Sequence, residues 1–314
     1  MQDCRVRSMR REEIALALEF AAREGWNPGL HDADCFAAAD ADGFFVAEVD
    51  GQPAGCISAV SYDGRFGFIG LYIVVPEFRG QGIGLQLWSR GMQRLAGHLI
   101  GLDGVPAQQD NYRKSGFRLA WQNVRYAGTA GSVVARASDD AAIVALRDVD
   151  FAMLCDDDRR VFPARRDRFL RAWLDMPDAT GLACVEHDRL AGWGVIRRCR
   201  EGHKVGPLVA DSPPKATALF AALCRRVPAQ DAVYLDVPLP NTAAVALAER
   251  CGMRGVFNTA RMYTGPAPAS AAIPLTARRR ARSVVALIRV RRWSRRTPAP
   301  DRGPAPARCT CARC

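Results

Sequence analysis

A chain of 314 residues, 49% of them hydrophobic, is long enough for about two domains and apolar enough to bury their cores, which excludes global disorder. No apolar run reaches the roughly 18–20 residues of a membrane span, so no membrane partner is expected. The net charge of +11 sits entirely in residues 266–314, where 12 arginines face the single acid Asp301; the remainder has no field to steer it to nucleic acid.

The first twenty residues are charged and show neither an apolar core nor a small-residue cleavage site, so a cytoplasmic location is expected. In that compartment the first eight of the 11 scattered cysteines read as reduced thiols. Cys309, Cys311 and Cys314 lack a fourth ligand and a nearby histidine, and no metal is expected.

Arg5 to Ser8 reads as a strand, and Arg11 to Arg23 as a helix with Ile14 and Leu18 on one face. Gly25 to Gly29 breaks it, and His31 to Ala39 reads as a second helix. Gly43–Val49, Ala54–Tyr62 and Phe66–Val75 read as strands, joined by the tight-turn dipeptides Asp50-Gly51 and Asp63-Gly64. The last of them is apolar almost throughout, as a central strand should be. A helix over Leu85–Leu95, a strand over His98–Leu102, a short helix over Gln108–Lys114 and a strand over Phe117–Tyr126 follow.

The second segment repeats this plan at a period of roughly 135 residues. Ala141–Arg147 reads as helical and Arg159–Leu174 as a long basic amphipathic helix carrying Phe162, Phe169 and Trp173. Strands are expected over Leu182–Glu186, Leu190–Arg198, His203–Leu208, Ala232–Val237 and Val256–Tyr263, with helices over Ala216–Cys224 and Thr242–Cys251. The domains expected are therefore residues 1–128, 129–265, and a basic tail over 266–314 in which most residues are expected to be disordered. Only that tail offers a route to nucleic acid.

The chemistry concentrates in one loop. Tyr72-Ile-Val-Val-Pro-Glu-Phe-Arg79-Gly80-Gln81-Gly82-Ile83-Gly84 runs from a buried strand through three glycines into a helix. A pyrophosphate needs backbone N–H groups aimed at it, which a helix N-terminus supplies, and a backbone bare enough to approach, which glycine supplies. Neither the Rossmann spacing nor a Gly-Lys-Ser/Thr phosphate loop is present.

Arg-x-x-Gly-x-Gly after Val-Val-Pro-Glu, with Tyr112 and Gly116-Phe117 beyond it, resembles the two motifs of the GCN5-related N-acetyltransferase (GNAT) superfamily. Trp26-Asn27-Pro28-Gly29, Phe68 to Val74 and Arg261-Met-Tyr resemble its bacterial tandem subgroup. The resemblance is good over residues 5–126 and weaker over 130–265. It implies an α/β (α+β) fold of two tandem domains, each a mixed, mainly antiparallel sheet flanked by helices, the second copy degenerate. Leu208 to Lys215 has no glycine loop, and Pro213-Pro214 remove two amides a pyrophosphate would use.

The same resemblance implies acetyl-CoA as co-substrate. Ile73, Val74 and Val75 would offer strand amides to the pantetheine arm, and Arg79, Gly80, Gln81, Gly82, Ile83 and Gly84 would hold the pyrophosphate. The acyl group would lie where two central strands splay, and Tyr112 would give a proton to the leaving thiolate. Asp103 is a candidate base, with Glu77 and Glu48 behind it; Asp103 also reads as the first residue of an Asp-Gly turn. Tyr72 and Trp26 would line the acceptor pocket, or Tyr72 would be core and Trp26 would pack beneath the loop. The expected reaction is acetylation of a primary amine on a small molecule, such as a polyamine-like or aminoglycoside-like metabolite. The alternative is a non-catalytic acyl-CoA-binding sensor or scaffold.

Overall fold

The structure, a computed structural model, describes residues 4–136 and 142–269. The first half runs β1 (Cys4–Ser8), α1 (Ile14–Arg23), α2 (Asp32–Ala39), β2 (Phe44–Val49), β3 (Gln52–Tyr62), β4 (Phe66–Val74), α3 (Ile83–Arg94), β5 (Leu99–Gly104), α4 (Gln109–Lys114) and β6 (Arg118–Thr129). After α5 (Ala130–Val134) the second half repeats that order. Its elements are β7 (Ile143–Ala145), α6 (Phe151–Asp158), α7 (Asp167–Leu174), β8 (Ala179–Glu186), β9 (Arg189–Arg198), β10 (His203–Ala210), α8 (Pro213–Cys224), β11 (Ala232–Pro238), α9 (Thr242–Arg250) and β12 (Arg254–Tyr263).

Two expected helices differ. Ile143–Ala145 is a strand pairing with β8, and Ala141 lies outside the described residues. The long helix expected over Arg159–Leu174 is interrupted. Pro163 cannot donate to a helix and clashes with the preceding turn. The chain therefore leaves α6 at Asp158 and re-enters a helix only at Asp167. The tail readings fall on residues 270–314, outside those described.

Among the described residues, twelve strands form one sheet in the order β1-β2-β3-β4-β5-β12-β6-β11-β10-β9-β8-β7. Each half has therefore given its last strand to the other: β12 lies against β5, and β6 against β11. The duplication puts an aspartate and an arginine opposite one another in both exchanged pairs. Arg261 of β12 faces Asp103 of β5, and Arg125 of β6 faces Asp236 of β11. Both pairs are two-pronged and nearly solvent-free, with contacts of 2.5 and 2.8 Å in the first and 2.6 and 2.8 Å in the second. The planar guanidinium fork matches a carboxylate. A register slip of one residue in either pair would part a buried arginine from its carboxylate.

A second joint lies beside the sheet. Asp32 of α2 makes a buried two-pronged pair with Arg197 of β9, at 2.7 and 3.0 Å. Gly29 is what admits it, because a Cβ there would collide with the Asp32 carboxylate. Asn27 exchanges two hydrogen bonds with the main chain of Glu201, and its carbonyl accepts from the buried Lys204 ammonium. The stretch Trp26-Asn27-Pro28-Gly29 is thus where the first half is fastened to the second.

Candidate active site

β4 and β5 pair in parallel only over Phe66–Ile69 and Leu99–Leu102, then part. On its other edge β4 stays with β3, but the register shifts where Leu71 takes a φ of 46°. A left-handed leucine costs about 1–3 kcal/mol and persists only where its surroundings impose it. The Cys56 thiol donates to the Leu71 carbonyl at 3.1 Å, and complete burial pushes its pKa up, so it keeps that proton. The bulge bends the strand away from β5 and opens the splay.

Past the bulge, alternation along an antiparallel pair decides which amides are free. Val75 N–H donates to Ala54 and is taken. The register Cys56 to Ile73 turns the Ile73 main chain toward β3 as well. Of the three residues expected to offer amides, Val74 alone faces the splay, so the expectation for Ile73 and Val75 is corrected; the cause is the continued pairing of β4 with β3.

Gly80 and Gly82 both have a φ of 79°, with open space where a Cβ would stand. Gly82 is the N-cap of α3, and no side chain among the described residues caps that helix. Leu85 N–H donates back to the Gly82 carbonyl, and the amides ahead of it in the first turn are left for a ligand. Gly80, Gln81 and Gly82 are exposed, while the Ile83 side chain is buried and fixes the start of the helix in the core. Gly84 is required for another reason: a Cβ would lie 2.8 Å from the Tyr72 hydroxyl. Arg79 folds back, its Nε donating to the Val74 carbonyl at 2.8 Å and its Nη2 pairing with Glu24. Gln81 donates to the Glu77 carbonyl.

A cavity of about 570 Å³ occupies the splay. Of the residues singled out in the sequence, Trp26, Tyr72, Ile73, Val74, Arg79, Asp103 and Tyr112 line it. Glu77 and Glu48 do not; Glu48 is paired with Arg7 at 2.6 Å on the β1–β2 edge. Tyr72, Trp88 and Tyr112 form an aromatic row with centroids 5.5 and 5.4 Å apart. Gly104 leaves room for this, since a Cβ there would strike the Tyr112 ring at 2.5 Å. Burial, and then neighbouring Tyr72, push the Tyr112 phenol pKa up, so it holds its proton at neutral pH. Trp26 brings an indole N–H that is buried and has no partner among the described residues.

Asp103 does not stand in a turn; it is in β5. Both its oxygens are engaged by Arg261, and Asn123 donates to one of them at 3.0 Å. A carboxylate so paired is a poor proton acceptor.

The second half supplies the other wall. Phe162, Arg166, Phe169 and, through the exchanged strand, Arg261 line the same cavity. The sequence reading missed their role. Pro163 was the available signal, because it forces residues 159–166 out of the helix and over the first half. Arg166 is held by Asp158 at 2.7 and 2.8 Å and lies over the Phe162 ring at 4.0 Å.

The matching opening in the second half is closed. β10 and β11 pair only over His203–Val205 and Val233–Leu235. There the fully buried Trp173 donates to the Gly206 carbonyl at 3.1 Å, with Arg197 4.6 Å over its ring. Pro213 and Pro214 open α8, where glycines open α3.

Two family models match the chain: the acetyltransferase (GNAT) family over residues 11–117 and an acetyltransferase (GNAT) domain over residues 154–273. The chain is 30% identical over 257 residues to holothin acyltransferase of Pseudoalteromonas sp. (strain SANK 73390), covering 82% of this chain and 86% of that one. A putative acetyltransferase from Pyrococcus horikoshii has a TM-score of 0.71 at 22% identity, over 86% of this chain and 92% of that one. A tandem GNAT protein from the clavulanic acid biosynthesis pathway has a TM-score of 0.60 at 13% identity, over 84% and 100%. The two structural likenesses concern the fold.

Proposed function

We infer, from a chain that belongs to the GCN5-related N-acetyltransferase (GNAT) superfamily and carries its fold twice, that it moves an acetyl group from acetyl-CoA to a primary amine of a small molecule in the first half's cavity. The observation that carries this reading is the joining of an uncapped, glycine-opened helix start to a splay that ends at Tyr112. The similarity to a protein named for acylating holothin supports acyl transfer as the reaction.

Acetyl-CoA would supply a thioester whose carbonyl carbon an amine can attack. The exposed main chain of Gly80, Gln81 and Gly82 and the helix start that follows it fit its pyrophosphate: no side chain caps that start, and Gly80 and Gly82 leave open space before it. Arg79 would have to release the Val74 carbonyl for an extended arm to lie along β4. Val74 N–H would donate to the acyl oxygen as charge gathers there. Tyr112 would hold a proton for the departing sulfur, as a phenol kept protonated by burial can.

Tyr112→Phe is the test. The ring's packing on Trp88 survives, so acetyl-CoA affinity should stay within about twofold while turnover falls about 100-fold, the effect of removing a general acid. Titration calorimetry and steady-state rates read the two quantities. An unchanged kcat would remove the proton-donor role.

A further inference from the structure

We propose that the acceptor is a weakly basic amine conjugated to a flat, neutral or anionic ring, rather than a polyamine or another polycation. The proposal rests on the function inferred above and names the substrate class of that same site.

Charge comes first. Three arginines line the cavity, Arg79, Arg166 and Arg261, against two acids, Glu24 and Asp103. All of these charges are already in ion pairs: Glu24 with Arg79, Asp103 with Arg261, and Arg166 with Asp158. A polycation entering here finds no carboxylate without a guanidinium partner. It would lose its hydration without gaining a counter-ion.

Proton chemistry points the same way. An amine must be neutral to attack a thioester, and an aliphatic ammonium needs a base to make it so. No histidine lines the cavity among the described residues, and both lining carboxylates are already engaged by arginines. An amine conjugated to an aromatic or heteroaromatic ring is uncharged at neutral pH and needs no base before attack. As the new C–N bond forms and the C–S bond breaks, the thiolate takes a proton from Tyr112, and the proton released from nitrogen restores the Tyr112 phenol.

Shape and polarity agree. The wall given by the second half is aromatic, with Phe162 and Phe169 on either side of Arg166 and Tyr62 edge-on to Phe162 at 5.0 Å. Asp158 engages Nε and Nη2 of Arg166, so Nη1 is the nitrogen left to donate to a carbonyl or carboxylate on the ring.

The experiment gives the full chain acetyl-CoA and four acceptors: aniline, meta-aminobenzoate, cyclohexylamine and spermidine. Products are measured by mass spectrometry across neutral and mildly alkaline pH. Expected values of kcat/KM are at least about tenfold higher for the aromatic amines and flat with pH, while cyclohexylamine improves about tenfold per pH unit as it deprotonates. The anionic meta-aminobenzoate should have a lower KM than aniline. Arg166→Lys should weaken apparent binding of meta-aminobenzoate about tenfold and leave that of aniline within about twofold, because an ammonium cannot serve Asp158 and a ligand in one plane. If that variant does not fold, the wild-type contrast between aniline and meta-aminobenzoate decides the anionic-ring claim alone. Preference for spermidine, a flat pH profile for cyclohexylamine, or turnover of none of the four by a protein that binds acetyl-CoA overturns the acceptor class. Failure to bind acetyl-CoA in calorimetry overturns the parent reading together with it.

Discussion

Gly82→Trp is expected to weaken acetyl-CoA binding by at least about 100-fold while the protein remains folded. Gly82 caps α3 in the left-handed region, and nothing stands within 4 Å of where its Cβ would be. A side chain there meets no steric wall in the free protein. The cost to stability is the backbone conformation itself, about 1–2 kcal/mol for an L-residue at positive φ. An indole would fill the exposed space in front of the first-turn amides, where a pyrophosphate would have to come. Gly82→Ala separates the two effects, because it carries the same φ cost with little obstruction and should lose less than about tenfold in affinity. Calorimetry together with thermal melting of the three proteins reads the difference. Full affinity in Gly82→Trp would place the phosphates elsewhere.

The second large effect concerns the exchanged strands. Arg261→Met and Arg125→Met should each destabilise the chain by about 3–5 kcal/mol, since each takes the guanidinium from a buried carboxylate. Their consequences for activity should differ. Arg261 lines the cavity and holds Asp103 there, whereas Arg125 holds Asp236 under the second half. At a temperature where both variants are folded, Arg261→Met should lose at least about tenfold in kcat/KM and Arg125→Met less than about threefold. Denaturant melts give the stabilities, and steady-state rates give the rest. Equal losses of activity would mean that both pairs act only by holding the sheet together.

The strand, glycine loop and helix of the first half were legible because their signals are local. Strand, bulge-tolerant apolar run, glycines and helix follow one another within about twenty residues, and each obeys a local rule. The duplication was legible for the same reason, as two element orders that match. What joins the halves was not, because a strand's sequence does not name its neighbour. Arg254–Tyr263 reads as a strand wherever it pairs, and only the fold shows it lying between β5 and β6. The aspartate of one half thus meets the arginine of the other, and a residue that looked like a candidate base, Asp103, is found neutralised by Arg261. The acceptor wall was hidden behind an over-long helix. Phe162, Arg166 and Phe169 fit an amphipathic repeat well enough to mask Pro163, whose missing N–H decides the matter. Trp26 could be read either way because its position depends on Asn27 and Gly29 meeting Glu201 and Arg197, contacts made across the whole chain.

On the proposed function, the first half seats a thioester carrier and the second does not, because glycines open α3 where prolines open α8, and a cavity lies where Trp173 fills its counterpart. Calorimetric titration of the full chain with acetyl-CoA counts the sites directly. One site per chain, lost in Gly82→Trp, is the predicted result. Two sites, or one site that survives Gly82→Trp, would contradict it.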